Sequence, residues 1–296
     1  MRPNDAIVIL SDAGVKRSFA RFVGVDLGGG RGKTTAVAEI RTSTGGGAEV
    51  VEVAARRGDQ RWNDDALVNY IAGLSHDAVV AIDAPLTQTA CGRCERPLCP
   101  GVERCADPAV EWLRTVGRQL VEAVAAEAAV EGSVTIGRRR HHVQQVRLAP
   151  YAHRATDVML TYRRELLPIS SLSANTTAVA ARATWIAKRL RVSGYQLHQN
   201  LIEVSPAATI AALCNPLLAR SYKHDADPWW TRATILEKIA DLSFAPQSRM
   251  AREDVLGNDH CFDAVISAYT AFLWARDGWE PPEGFFCDDG WIVTPP

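Results

Sequence analysis

Residues 22–40 read FVGVDLGGGRGKTTAVAEI, and the closing Gly-Lys-Thr invites comparison with a nucleotide-binding loop. The count rejects it. A P-loop carries a glycine five places before the Gly of Gly-Lys, and counting back from Gly32 lands on Leu27, with Gly28 one place too late. A P-loop also runs straight into a helix whose N-terminal amides hold phosphate. Here residues 34–40, Thr-Thr-Ala-Val-Ala-Glu-Ile, are rich in β-branched side chains and predict a strand. The stretch therefore reads as strand, glycine turn, strand, with Asp26 carried at the end of the first strand.

Outward from that hairpin, 296 residues suffice for one elaborated α/β domain or two small ones. A hydrophobic content of 47% suits a globular chain with a core. No apolar run is long enough to span a bilayer, and 6–10 is too short for the core of a signal peptide, so a cytoplasmic location with no membrane partner is expected. In that setting the seven cysteines are expected to be thiols or metal ligands rather than disulfides. The net charge of −1 argues against a polyanionic partner until its distribution is read. Residues 138–191 hold eleven Lys or Arg against Asp157 and Glu165, a local +9 that leaves −10 for the rest. Solvated helix faces account for Lys188–Arg191. The run Arg138-Arg139-Arg140-His141-His142 is the footprint that phosphate backbones select.

Further strands are expected at 48–55, after Gly45-Gly46-Gly47, and at 78–82, a continuous apolar run of the kind buried on both faces. Between them a helix over 64–74 is predicted, capped by Asn63. An alanine-rich helix near 107–129, one around 175–191, a strand at 201–204, helices near 231–242 and 259–276, and a short strand at 291–293 complete the order.

Two apolar strand runs end in a carboxylate, Asp26 and Asp83, and Glu203 lies within the third. If the first three strands form an antiparallel meander, strands one and four become neighbours and bring Asp26 to Asp83. A fourth acid, Asp263, opens the last long helix, three residues after His260 and on the same face. Clustered carboxylates repel unless a cation holds them, and two Mg²⁺ or Mn²⁺ ions ~3.5–4 Å apart need about this many oxygens. Each acid also has a private structural use, as a turn cap or a charge at a helix start.

The motifs Gly24-Val25-Asp26, Ala81-Ile82-Asp83-Ala84-Pro85-Leu86, Arg104-Cys105-Ala106-Asp107, Ile202-Glu203-Val204-Ser205-Pro206, Tyr222-Lys223, His260-Cys261-Phe262-Asp263-Ala264 and Gly290-Trp291-Ile292 follow in order. Together they resemble the domain-of-unknown-function family 429, predicted nucleases with a ribonuclease H fold. The family typically has Tyr-Pro where this chain has Ser205-Pro206. The resemblance implies a ribonuclease H-like mixed sheet flanked by helices and metal-dependent phosphodiester hydrolysis, with Asp26, Asp83, Glu203 and Asp263 as ligands. His260 would then position water or protonate the leaving oxygen, and Lys223 would stabilise charge on phosphate. Arg138, Arg139, Arg140 and Arg154 are expected to hold the backbone of DNA or RNA without reading bases.

Cys91, Cys94, Cys99 and Cys105 fall within fifteen residues, a spacing that suits tetrahedral Zn²⁺ or an iron–sulfur cluster. The expected organisation is a first half at 20–90, a cysteine-rich and basic helical insertion at 91–198, and a second half at 199–296. Two other classes compete. An actin-like ATPase or sugar kinase also opens on Asp-x-Gly-Gly, but it needs later glycine pairs, and after Gly101 this chain has none. A non-catalytic nucleic-acid binder would use the basic insertion and keep the acids structural.

Overall fold

In the computed structural model, which describes residues 16–29, 34–74, 77–123, 148–164 and 176–296, the opening stretch forms the expected hairpin. Strand β1 (Arg21–Asp26) pairs antiparallel with β2 (Ala36–Thr42), and β2 pairs antiparallel with β3 (Ala48–Ala54). A two-residue turn at Gly58-Asp59, with Gly58 in the left-handed region, then closes a small exposed ribbon of β4 (Arg56–Arg57) and β5 (Gln60–Arg61). Helix α1 (Asp64–Ala72) starts where Asn63 predicts, its side chain accepting the Ala66 N–H at 2.8 Å.

The apolar run becomes β6 (Ala78–Asp83), parallel to β1 and in register so that Asp26 sits beside Asp83. Beyond it lie α2 (Pro108–Trp112), capped by Asp107, then α3 (Ala155–Arg164) and α4 (Thr177–Val192). Strand β7 (Leu201–Val204) adds parallel to β6. It leads through α5 (Pro206–Leu213), α6 (Pro216–Ser221) and α7 (Pro228–Lys238) to β8 (Leu242–Phe244), a short strand parallel to β3. Helices α8 (Arg252–Gly257), α9 (Asp259–Asp277) and α10 (Phe286–Asp289) precede β9 (Ile292–Val293). The result is a mixed α/β fold around one seven-stranded sheet, ordered β8-β3-β2-β1-β6-β7-β9.

Side chains alternate between the two faces of this sheet. Val23, Val25, Val80 and Ile82 pack with α1 and α4 on one face. Phe22, Ala36, Ala38, Ala81 and Ile202 pack with α9 on the other. Helix α9 is buried from Cys261 through Ala275, so it is apolar nearly all round, as a central helix must be. It runs antiparallel to β1. Phe272 meets Phe22 edge-on at 5.3 Å, Ala264 and Ala268 lie over Gly24, and the first turn reaches Asp26. Gly24 makes that seat possible: a Cβ there would lie 2.1 Å from the Ala264 carbonyl oxygen and 2.3 Å from the Ala268 nitrogen. Among the described residues no helix is long and apolar enough to cross a membrane.

Candidate metal centre

Three carboxylates converge at one end of the sheet. Asp26 and Asp83 end neighbouring parallel strands and, being register partners, point to the α9 face. Asp263 comes down from the second turn of α9 and is 0% exposed. One ligand oxygen from each of the three lies within 4.8 Å of the others. The seating of Ala264 on Gly24 brings Asp263 to this point, and Gly24 and Asp26 share a strand face two residues apart.

Their surroundings only partly compensate the charge. Burial, then the neighbouring charges of Asp263 and Asp26, push Asp83 well above the ordinary carboxylate range. Asp263 rises to about 6 because burial outweighs the pull of Lys223. Lys223 Nζ forms an ion pair with Asp263 Oδ2, and the Tyr222 hydroxyl donates to Oδ1 at 2.8 Å. Burial opposes the lysine charge, but Asp263 and Asp83 outweigh it and raise the pKa of Lys223. His260 Nδ1 meets Asp26 Oδ2 at 2.5 Å; this hydrogen bond raises the imidazole pKa against the effect of partial burial. Both oxygens of Asp83 and Oδ1 of Asp26 have no donor among the described residues. An all-oxygen, acidic donor set of this kind suits a hard divalent cation.

Glu203, expected as a fourth ligand, stands apart from the trio. Its register partner is Ile82, one residue before Asp83, and Ile82 packs on the opposite face of the sheet. Arg154 holds both of its oxygens, Nη2 to Oε1 at 2.6 Å and Nη1 to Oε2 at 2.8 Å, and the Leu86 N–H also donates to Oε2 at 2.8 Å. Arg154, expected on a nucleic-acid backbone, is 1% exposed. It also grips Asp157 through Nη2 at 2.7 Å and Nε at 3.1 Å. Burial works against its charge, but Asp157 and Glu203 outweigh it and hold the guanidinium ionised. The rest of the described basic segment is partly matched as well: Arg182 pairs with Asp64 and Arg189 with Asp65 on α1. Arg138, Arg139 and Arg140 lie outside the described residues.

The four cysteines do not gather around one point. Cys91, Cys94 and Cys99 are exposed and Cys105 is half-buried. Among the described residues the carboxylate trio is the group of ligand-type side chains that converges, so zinc or iron–sulfur ligation has no support in the geometry. The loop is instead held by its own backbone and by arginines. Arg114 Nη1 donates to the carbonyls of Val102 at 2.8 Å and Glu103 at 2.7 Å, and Arg93 reaches Asp289 at 2.6 Å. Cys105 packs against Ala90, Ala109 and Val110.

Sequence reasoning missed the Arg154–Glu203–Asp157 cluster and the exposed ribbon with Arg56 and Arg61. It quoted Tyr222 only as the neighbour of Lys223, although its hydroxyl bonds Asp263. The family model described as "Protein of unknown function (DUF429)" matches residues 24–283. Among curated proteins and among solved structures, nothing matches the chain.

Proposed function

The chain belongs to the DUF429 family, and we propose that it is a metal-dependent hydrolase of phosphodiester bonds in DNA or RNA, built on a ribonuclease H-like sheet. The observation that carries this reading is the convergence of Asp26, Asp83 and Asp263 within 4.8 Å at the end of two parallel strands. The antiparallel meander followed by parallel β6 and β7 supports the fold assignment.

Asp83 and the uncommitted oxygen of Asp26 would hold Mg²⁺ or Mn²⁺, with Asp263 completing the set. Such an ion supplies Lewis-acid polarisation of a phosphoryl oxygen and neutralises developing charge. Within the chain, Tyr222 and Lys223 fix Asp263 and keep one positive charge beside it. His260 is partly open to solvent and held by Asp26, so it is placed to carry a proton to a leaving oxygen. Glu203 has a different job: with Arg154 it ties β7 to the Leu86 turn that follows Asp83.

The test is cleavage of a labelled oligonucleotide in Mg²⁺ or Mn²⁺. Asp26→Asn and Asp83→Asn are each expected to abolish it while the variants stay folded. Cleavage that survives both substitutions removes the proposal.

A further inference from the structure

The exposed ribbon presents an unusual charge pattern. Arg56 and Arg61 sit directly opposite each other across β4 and β5. Like charges facing across a strand pair are destabilising, and no carboxylate among the described residues ion-pairs with either one. Arg56 donates to the Asp59 carbonyl, and Arg57 turns away to bond the Ala66 carbonyl on α1 at 3.1 Å.

Arg56 and Arg61 line a cleft with Thr34, Thr35, Ala55 and Asn258. Its polar lining is biased towards donors. The Asn258 Oδ1 is already used by the Cys261 N–H at 3.2 Å, which leaves its amide NH₂ as the free group. Thr35 is buried, and its Oγ1 accepts from the Gly28 N–H at 3.1 Å and from Arg182 Nη1 at 3.5 Å, so Arg56, Arg61, Asn258 and Thr34 are the groups left to serve a ligand. Among the described residues no acid lines the cleft. The volume, ≈ 180 Å³, falls below the ~300–1,000 Å³ of pockets that enclose whole small molecules, so it fits one anionic group of a larger ligand lying across the surface.

Its position relates it to the carboxylates. Thr35 immediately precedes Ala36, the register partner of Asp26, and Asn258 caps α9 two residues before His260. The cleft therefore borders the metal centre on the β2–β3 side. The geometry points to a phosphate subsite: Arg56 and Arg61, with Asn258 and Thr34, hold a backbone phosphate of nucleic acid that flanks the phosphodiester at the carboxylates. The inference rests on the nuclease reading above. It also answers an electrostatic need, because three clustered acids repel a polyanion unless cations stand nearby.

Binding measured without cleavage separates the two ideas. Fluorescein-labelled single-stranded and duplex DNA are titrated with the full chain in EDTA over a salt series, read by anisotropy. Arg56→Ala/Arg61→Ala is expected to weaken binding about tenfold near 0.1 M salt. It should also flatten the duplex salt slope by about one to two units, since each neutralised phosphate contributes roughly 0.9. Arg57→Ala, which removes an equal charge from the same ribbon but not from the cleft, should leave the slope near the parent's. Unchanged affinity and slope in the double variant overturn the subsite while parent binding still supports a nucleic-acid substrate. A loss in Arg57→Ala as large as in the double variant also overturns it, because diffuse charge would then explain the effect. A parent chain that binds neither DNA overturns the nuclease reading and the subsite together. Because the ribbon is exposed, melting temperatures matching the parent's will confirm folded variants.

Discussion

Two buried charge clusters lie on opposite faces of the sheet at the same end, and they are built on opposite principles. Around Arg154 every charge is answered: Glu203 and Asp157 flank the guanidinium, and backbone N–H groups of Leu86 and Arg154 complete the carboxylates. Around Asp83 the acids outnumber the cations. Three carboxylates share Lys223 and a half-open His260, and Asp83 has no donor among the described residues. Buried charge is tolerated when paired and hydrogen-bonded. Where the fold leaves it unmatched, either a proton or a cation must supply the missing positive charge.

The comparison breaks most visibly at Arg154. Arg154→Met should cost about 3–5 kcal/mol, the penalty for leaving buried carboxylates without their cation. Denaturant unfolding measures it, with Arg189→Met as the surface-pair control expected to cost under about 1 kcal/mol. A normally stable Arg154→Met chain with weakened nucleic-acid binding would restore the arginine to the surface role that its basic neighbourhood suggests.

Gly24 tests the seat that assembles the unmatched cluster. Gly24→Ala places a methyl against backbone atoms of α9, so the helix must shift. Overpacking of this kind costs about 1–3 kcal/mol or somewhat more. The same shift draws Asp263 from Asp26, so Mn²⁺ affinity, read by calorimetry, should fall alongside thermal stability. Equal loss of stability with unaltered Mn²⁺ affinity would separate the seat from the site.

Much of this was legible in the chain. The glycine count in 22–40 excluded a P-loop and left a hairpin, and the apolar runs ending in Asp26 and Asp83 are the neighbouring strands of the site. That Glu203 lies outside the trio was not legible, because strand ends look alike in sequence while faces alternate. Its assignment depends on pairing Glu203 with Ile82 rather than Asp83, a register that no local pattern specifies. The burial of Arg154 was hidden for a related reason: a charge run reports composition, and one of the two carboxylates that hold it comes from a distant strand. The three-residue strand β8 and the short helices α5 and α6 were missed because each is too brief to establish a period.

Removing a charge should have the opposite sign in the unmatched cluster. An acid whose pKa is raised in the fold stabilises it when protonated. That contribution is complete below the unfolded value of 3.8 and is lost as pH rises through the folded value, about 6 for Asp263. With metal chelated, Asp83→Asn and the parent should therefore have similar stability near pH 4. The variant should gain on the parent as pH rises towards 7, because burial and the charges of Asp263 and Asp26 hold the Asp83 carboxyl well above the ordinary range. Thermal melts in EDTA across that range read the difference directly. A parent that is the more stable of the two at pH 7 would mean that Asp83 is a matched structural charge like Glu203.

The smallest effect is expected where the sequence offered its densest cluster. Four thiols within fifteen residues look like a metal staple, and a staple would make Cys94→Ser as costly as losing a ligand. In the fold the loop has other supports: Cys94 is exposed, Cys105 packs on Ala90, Ala109 and Val110, and Arg114 pins the backbone at Val102 and Glu103. Cys94→Ser should then change stability by no more than about 0.5 kcal/mol, the range of ordinary surface substitutions. The exposed thiols of Cys91, Cys94 and Cys99 should titrate with a thiol reagent in native buffer, and elemental analysis should find neither zinc nor iron in stoichiometric amount. A loss of several kcal/mol in Cys94→Ser, together with metal released by the thiol reagent, would mean that the loop closes around an ion. The chain would then hold a second centre, made of sulfur, beside the carboxylates.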